Sequence, residues 1–412
     1  MTVLACRHCG AALTQSFCDL GAQPLSNAFI KPEDALRPEP FYPLNVYVCG
    51  TCLLVQLPEH TRADRIFGDD YVYFSSFSES WLAHAKAYCE MAAERFSLGK
   101  TSQVIEIASN DGYLLQYFTA MGIPALGIEP AANVAAAAEA KGVPTLTKFF
   151  TRRLAADLSA AGRSADLLLG NNVLAHVPDI NDFVAGMKIA LKPAGVITME
   201  FPHLARLIEG VQFDTIYHEH YSYLSLTSVE RIFTHHGLAI FDVDELATHG
   251  GSLRIYARHT GEPAPERTPR VAALLARERA AGLATIAGYT GFEPRVREVK
   301  RDLIAFLIAA KRDGKRIAGY GAAAKGNTLL NYCGIRQDFV DFVVDRNPVK
   351  QGRLLPGTRI PVRHPDAIAE SRPDYVLILP WNIRDEIMET LSFIRDWGGK
   401  FIVPIPKVDV IA

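Results

Sequence analysis

From about residue 103 the chain alternates short apolar runs with longer stretches of helical character. Gln103-Val104-Ile105-Glu106-Ile107, Ala125-Leu126-Gly127-Ile128-Glu129, Asp166-Leu167-Leu168-Leu169 and Val196-Ile197-Thr198-Met199-Glu200 read as strands, and the Ala-rich residues 131–140 and residues 181–191 read as helices between them. Strands alternating with helices mean a parallel sheet wound on both faces. Residues 238–243 and 252–257 look like closing strands. Upstream, residues 53–58 read as a short strand and residues 80–96 as a helix. Residues 261–312 are rich in charge and alanine and read as helices that bridge domains or form a solvated face. A second alternation follows: residues 316–318 run into Gly319-Tyr320-Gly321, a helix extends over 322–330, and residues 339–344 and 375–379 are further strands.

The chain has 412 residues, enough for two or three domains. Its 49% hydrophobic and 21% charged residues are an ordinary globular mixture. The net charge of −2 disfavours nucleic-acid binding by a broad basic surface. No run reaches the roughly 18 apolar residues of a membrane helix. Leu4-Ala5-Cys6 resembles a lipoprotein signal but lacks a basic segment and an apolar stretch before it. The expectation is a cytoplasmic protein, without membrane or nucleic-acid partners, and a monomer.

Of seven cysteines, four form two pairs, Cys6-Arg7-His8-Cys9 and Cys49-Gly50-Thr51-Cys52. A two-residue spacer lets both sulfurs aim at one point, and two such knuckles complete a tetrahedral S4 site for zinc. Four thiolates leave no open position, so the expected role is structural. The long segment between the knuckles is expected to loop out. Disulfides would not suit a cytoplasmic chain.

The segment from Val104 to Leu115 is strand, then small-residue loop, then helix. Such a loop at a strand's carboxyl end lets a ligand approach the backbone. Glu129 ends the next strand, where an acidic side chain can accept from both ribose hydroxyls. The loop holds Ser109, Asn110 and Asp111 with Gly112 as its one glycine, unlike a pyrophosphate loop. It suits a cationic ligand without phosphate, as S-adenosylmethionine is. The segment resembles the first motif of class I methyltransferases, and residues 166–177, which include Asn171, Asn172 and His176, resemble their fourth-strand motif.

Past the fifth strand lies Tyr217-His218-Glu219-His220. In extended backbone Tyr217 and Glu219 share one side and the histidines the other, while a turn would gather three of them. A histidine here suits proton transfer near neutral pH.

Taken together these segments resemble, nearly end to end, the zinc-containing nucleotide-sugar C-methyltransferases of branched-deoxysugar biosynthesis. Carrying the match are the two knuckles, residues 67–73, residues 106–112, Tyr217 to His220, and residues 319–328. One departure is visible: Ala108 stands where such families usually have glycine. The resemblance implies an α/β fold of three parts: a zinc-binding module (1–67), a class I methyltransferase Rossmann-like domain (68–260), and a second Rossmann-like α/β domain (261–412) that helps hold the sugar nucleotide. It implies methyl transfer from S-adenosylmethionine to C-3 of a 4-keto-deoxysugar linked to a nucleotide, with thymidine diphosphate expected. It also implies zinc on Cys6, Cys9, Cys49 and Cys52, and His220 as base, with Tyr217, Glu219 and His176 beside it. Tyr71, Glu106, Ala108, Asn110, Asp111, Glu129, Asn171 and Asn172 are expected at the cofactor. Arg254, Lys325 and Asn327 are expected at the substrate, Lys325 beside a helix N-terminus that suits a pyrophosphate.

Other readings compete. An RNA methyltransferase with a zinc module is opposed by the charge. A nicotinamide-dependent sugar-nucleotide oxidoreductase or epimerase would use the last domain, with Asp345 as its acidic residue. A zinc scaffold that binds nucleotide sugars would show no turnover.

Overall fold

The computed structural model describes residues 4–61, 74–261 and 266–412. Three sheets organise them. The first, order β1-β2-β3-β9, joins β1 (Gln15–Gln23), β2 (Tyr42–Val48) and β3 (Val55–Gln56) to β9 (Ser222–Tyr223) from much later in the chain. The segment between the cysteine pairs thus forms an antiparallel ribbon, with β1 broken by two register shifts, where a loop was expected. Its physical basis is an alternation: Leu44, Val46 and Val48 face the core, and the residues between them stay partly exposed. Four cysteine sulfurs, those of Cys6, Cys9, Cys49 and Cys52, cluster at one end with all four within 4.8 Å of one another.

The second sheet has order β10-β11-β8-β7-β4-β5-β6. Its parallel part is β4 (Val104–Ile107), β5 (Ala125–Ile128), β6 (Thr145–Leu146), β7 (Ala165–Asn171) and β8 (Leu191–Pro202). The hairpin of β10 (Leu238–Leu246) and β11 (Ser252–His259) adds to its edge, with β11 antiparallel to β8. Every residue of β4 is buried, as a strand covered on both faces requires. Strand β8 begins early: Leu191 pairs with Ala165 of β7 and Val196 with Leu167, with a register shift between them. The flanking helices include α1 (Glu79–Arg95), α2 (Leu115–Ala120), α3 (Ala132–Ala140), α4 (Arg152–Ala160), α5 (Ile180–Ala190), α6 (Leu204–Glu209) and α7 (Leu226–His235). Several begin with a side-chain cap: Ser78 accepts from Trp81 N–H, Thr151 from Leu154, and Ser225 with Ser228 forms a capping box.

Helices α8 (Pro269–Ala280) and α9 (Phe292–Arg312) lead to the third sheet. Its order is β14-β13-β12-β15-β16-β17. Strands β12 (Ile317–Tyr320), β13 (Val343–Val344), β14 (Val362–Arg363), β15 (Tyr375–Ile378) and β16 (Lys400–Val403) are parallel, and β17 (Asp409–Ile411) returns antiparallel. After β12 comes α10 (Ala324–Cys333), ended by Gly334 in the left-handed region. One apolar core runs from the β1–β2 ribbon through α9 to this last sheet and takes in Leu204, Leu207, Phe213 and Ile216 of the middle part, while the cysteine end of the first part packs into the core of the middle sheet. Among the described residues no helix is long and apolar enough to cross a membrane.

Candidate active site

A cavity of about 870 Å³ opens at the carboxyl edge of the middle sheet and is walled by all three parts of the chain. Such an edge is where open α/β sheets bind ligands.

The donor end is built from two strand termini. After β4 the chain turns sharply: Ala108, Asn110 and Gly112 all have positive φ, at 56°, 49° and 75°. Asn110 Oδ1 accepts Ser75 N–H at 2.8 Å, which ties the loop to the segment before α1. Glu129, just past β5, is nearly fully buried. Its Oε2 accepts Asn110 N–H at 3.0 Å and its Oε1 accepts Ala131 N–H at 2.9 Å. Each oxygen keeps a second lone pair, so the carboxylate can still receive two hydroxyls. Asn171 ends β7 and Asn172 follows it on the same wall, with Tyr113, Trp81 and His249 also lining the cavity. Asn172 donates from Nδ2 to His249 Nε2 at 3.0 Å. These groups fit the adenosyl and methionine portions of S-adenosylmethionine.

Two expected donor residues sit behind this wall. Glu106 is fully buried beneath the loop, and burial pushes its carboxyl well above the usual range with Tyr113 beside it. Asp111 is bound by Lys141 Nζ at 3.0 Å, and neither residue lines the cavity. Tyr71 lies outside the described residues.

At the other end of the cavity lies the turn that carries Tyr217 to His220, the residues expected at the reaction centre. His220 N–H donates to Tyr217 O at 2.9 Å, and this tight turn sends Tyr217, Glu219 and His220 into the cavity. His218 points the other way, against Tyr42 and the Pro43 carbonyl. The carbonyl of Thr215 is 2.7 Å from His220 Nδ1. A carbonyl can only accept, so Nδ1 carries the proton and Nε2 keeps its lone pair. Burial, and then His176, hold the imidazole well below its ordinary pKa, so it is neutral at pH 7. The His176 ring stands edge-on at 4.6 Å and Tyr217 lies across His220 at 4.0 Å. His176 is itself depressed to about 4 by burial. Glu219 accepts Asn27 Nδ2–H at 2.6 Å, and burial raises its carboxyl to about 7.

The third part of the chain supplies the cations. Ala323, Ala324 and Lys325 face the cavity at the start of α10, whose N-cap Ala323 makes no side-chain cap. Lys325 Nζ donates to Asn382 Oδ1 at 2.7 Å and lies over the Trp381 ring. Lys350 joins the wall and donates to Ala322 O at 2.9 Å. Two residues expected at the substrate are placed elsewhere. Arg254 is buried against Glu200, at 2.6 Å, and over the Tyr88 ring. Burial opposes ionisation of Glu200, but His84 and Arg254 together hold it down to about 2. Asn327 is buried in α10 and donates to Ser26 O at 2.6 Å. Asp345 does not present a bare carboxylate: it accepts Ala322 N–H and Asn347 N–H. Sequence reasoning missed Asn27, Trp81, Tyr113, Lys350 and Asn382. Tyr113 lies within the segment read as the first motif, where the loop residues before it carried the signal; the other four come from separate regions of the chain and carry no local motif.

The metal centre lies apart from this cavity. Cys6 and Cys52 Sγ are 3.5 Å apart, as are Cys9 and Cys49 Sγ. Zinc–sulfur bonds of about 2.3 Å at tetrahedral angles need sulfur separations of roughly 3.8 Å, so the cluster fits a closed zinc site. Among the described residues no other group of potential ligands forms such a cluster.

Comparison with known proteins agrees along the whole chain. Three family models match in succession: "Putative zinc binding domain" at residues 6–67, "Methyltransferase domain" at 81–243 and "C-methyltransferase C-terminal domain" at 247–406. Over 410 residues the chain is 37% identical to the C-methyltransferase NovU of Streptomyces niveus, covering 99% of this chain and 96% of that one. Solved structures match at a lower level. The CcbJ methyltransferase of Streptomyces caelestis is 12% identical over 48% of this chain and 98% of its own, with a TM-score of 0.37. Magnesium protoporphyrin IX methyltransferase of Synechocystis is 16% identical over 47% and 88%, with a TM-score of 0.33. The chain belongs to the zinc-containing, S-adenosylmethionine-dependent C-methyltransferases.

Proposed function

We propose that the protein methylates C-3 of a 4-keto-deoxysugar carried on a nucleoside diphosphate, by way of an enolate. The observation that carries this reading is His220: a neutral imidazole, its Nδ1–H held by the Thr215 carbonyl, in a cavity bounded by the Glu129 wall and the two lysines.

A hydrogen beside a ketone is acidic because the charge left behind spreads onto oxygen. His220 Nε2 accepts that proton, and its Nδ1–H bond to Thr215 steadies the imidazolium that forms. Tyr217, packed on the ring, and Glu219, protonated over part of the neutral range, donate to the enolate oxygen. Glu129, Asn110, Asn171 and Asn172 hold S-adenosylmethionine, which supplies an electrophilic methyl on sulfur. The enolate carbon forms the new bond as the carbon–sulfur bond breaks, and S-adenosylhomocysteine leaves. Lys325, Lys350 and the open start of α10 receive the diphosphate. Alignment of donor and acceptor at near-contact distance supplies much of the rate.

The test is to incubate the protein with S-adenosylmethionine and a panel of nucleotide 4-keto sugars and to look for a gain of one methyl mass. His220→Asn should abolish the gain while both ligands still bind. Near-normal turnover in that variant removes His220 from the base role. A protein stabilised by NAD and indifferent to S-adenosylmethionine overturns the whole reading.

A further inference from the structure

The turn that presents His220 is fastened to the last lobe through a group the transfer chemistry does not itself use. Asp214 lies in the short helical turn Phe213–Thr215 and is fully buried. Its Oδ2 accepts Trp381 Nε1–H at 2.7 Å. Trp381 follows β15, and the Lys325 ammonium sits 4.8 Å from the centre of its ring. One residue after Asp214 is Thr215, whose carbonyl fixes the His220 tautomer. The same turn is tied again one residue later, where Thr328 Oγ1 of α10 donates to Ile216 O at 2.9 Å. A parallel link runs from Asn327 to Ser26 O, and the neighbouring Asn27 holds Glu219. Helix α10 begins at the cavity and is wired to the backbone beside both reactive side chains.

Asp214 is a costly way to hold an indole. Its second oxygen, Oδ1, is buried and has no hydrogen-bond partner among the described residues. A neutral acceptor would satisfy Trp381 without burying a charge. What the carboxylate adds is attraction for Lys325, the cation that shares the Trp381 ring; burial pulls this ammonium's pKa down and Asp214 pulls it back up.

We propose that Asp214 is a positioning residue for methyl transfer. Through Trp381 it holds Lys325 at the anionic end of the cavity, while its own turn presents the carbonyl that aims His220. Seating the substrate's charged tail and orienting the base are then one event, and tail-binding energy appears in turnover as well as in affinity. This rests on the roles given above to Lys325 and His220.

The experiment compares Asp214→Asn, Trp381→Phe and the double variant with the parent, using S-adenosylmethionine and the nucleotide keto sugar that the parent methylates. Each single change should lower kcat about ten- to a hundredfold, the scale of a small misplacement. The S-adenosylmethionine Kd should stay within about twofold, and the double variant should be no slower than the slower single one. Trp381→Phe keeps an aromatic face beside Lys325 while removing the indole N–H that Asp214 accepts, so it stays informative if Asp214→Asn does not fold. Parental kcat in both singles, or losses that multiply in the double, overturn the proposal. If the parent methylates no nucleotide sugar, the functional reading fails on its own. The relay is then read by 15N NMR of His220 without substrate. Loss of the single Nδ1–H tautomer in Asp214→Asn supports it, and an unchanged tautomer overturns it.

Discussion

Ala108 holds a backbone conformation that a β-carbon resists. Its φ of 56° lies in the left-handed region, where a non-glycine residue costs roughly 1–2 kcal/mol. This is the position where the sequence departs from the family's usual glycine, and the structure supplies the reason glycine is usual: the chain must reverse after β4 to face the donor. Ala108→Gly relieves the strain but frees the unfolded chain, offsetting it by about 0.5–1 kcal/mol. The net expectation is a stability gain of zero to about 1.5 kcal/mol and donor affinity at least as high, read by chemical denaturation and calorimetry. A loss of more than 1 kcal/mol would contradict it. Glu219 carries a second residue-scale consequence. Its carboxyl is raised from 4.5 to about 7 by burial, so between those values the folded state keeps a proton that the unfolded state releases. Stability attributable to this group is therefore full below about pH 4.5 and falls as pH rises through 7, by up to about 3 kcal/mol. Glu219→Gln retains an acceptor for Asn27 and cannot ionise. Its stability relative to the parent should rise from pH 4.5 to 7, and a pH-independent difference would refute the assignment.

At the scale of elements, much of the fold was legible because its signals are local. The strands of the middle sheet are short continuous apolar runs, and α1 and α5 fall within a residue or two of expectation. The ribbon β1–β2 is less legible, because Leu44, Val46 and Val48 alternate over one strand only and its partner β1 is interrupted by two register shifts. The predicted strand over 339–344 shrinks to Val343–Val344, since only those residues meet partners on β12 and β14. The turn from β12 into α10 was anticipated from Gly319-Tyr320-Gly321, and its glycines have a demonstrable job. Gly321 has φ 88°, and a β-carbon there would lie 2.5 Å from Pro380 Cδ. Gly321→Ala therefore combines left-handed strain with overpacking and should cost about 2–4 kcal/mol. Because Pro380 leads into Trp381 and Asn382, the same change should weaken binding of the nucleoside diphosphate alone. Unaltered thermal stability would show that the turn yields more easily than its geometry implies.

The active cavity exists only at the scale of the whole molecule, which is why its sequence signals were partial. Tyr217 to His220 and the loop after β4 announced themselves as compact motifs. Asn27 and Lys350, which face Glu219 from the first and last parts of the chain, have no pattern of their own and gain meaning only from three-dimensional convergence. The zinc module is drawn into the same convergence. Gln56 Nε2 donates to Cys6 Sγ at 3.1 Å, and β3, which contains Gln56, pairs with β9 directly after the His220 turn. Leu57 N–H donates to Tyr221 O at 3.0 Å beside it. A four-thiolate site contributes folding free energy, about 10–16 kcal/mol for zinc in isolated finger peptides, so its loss should release the β1–β2–β3 ribbon and with it one wall of the reactive turn. The donor wall belongs to β4, β5 and β7 of another sheet; the cysteines pack on its core, but its strands are hydrogen-bonded to one another and not to the ribbon. Stripping the metal with a chelator, with elemental analysis to follow one zinc per chain, should therefore abolish methyl transfer while S-adenosylmethionine still binds within several-fold of its original Kd. Returning zinc should restore turnover. Simultaneous loss of donor binding would mean that the module supports the whole molecule, and full turnover without metal would mean that β9 holds the catalytic turn unaided.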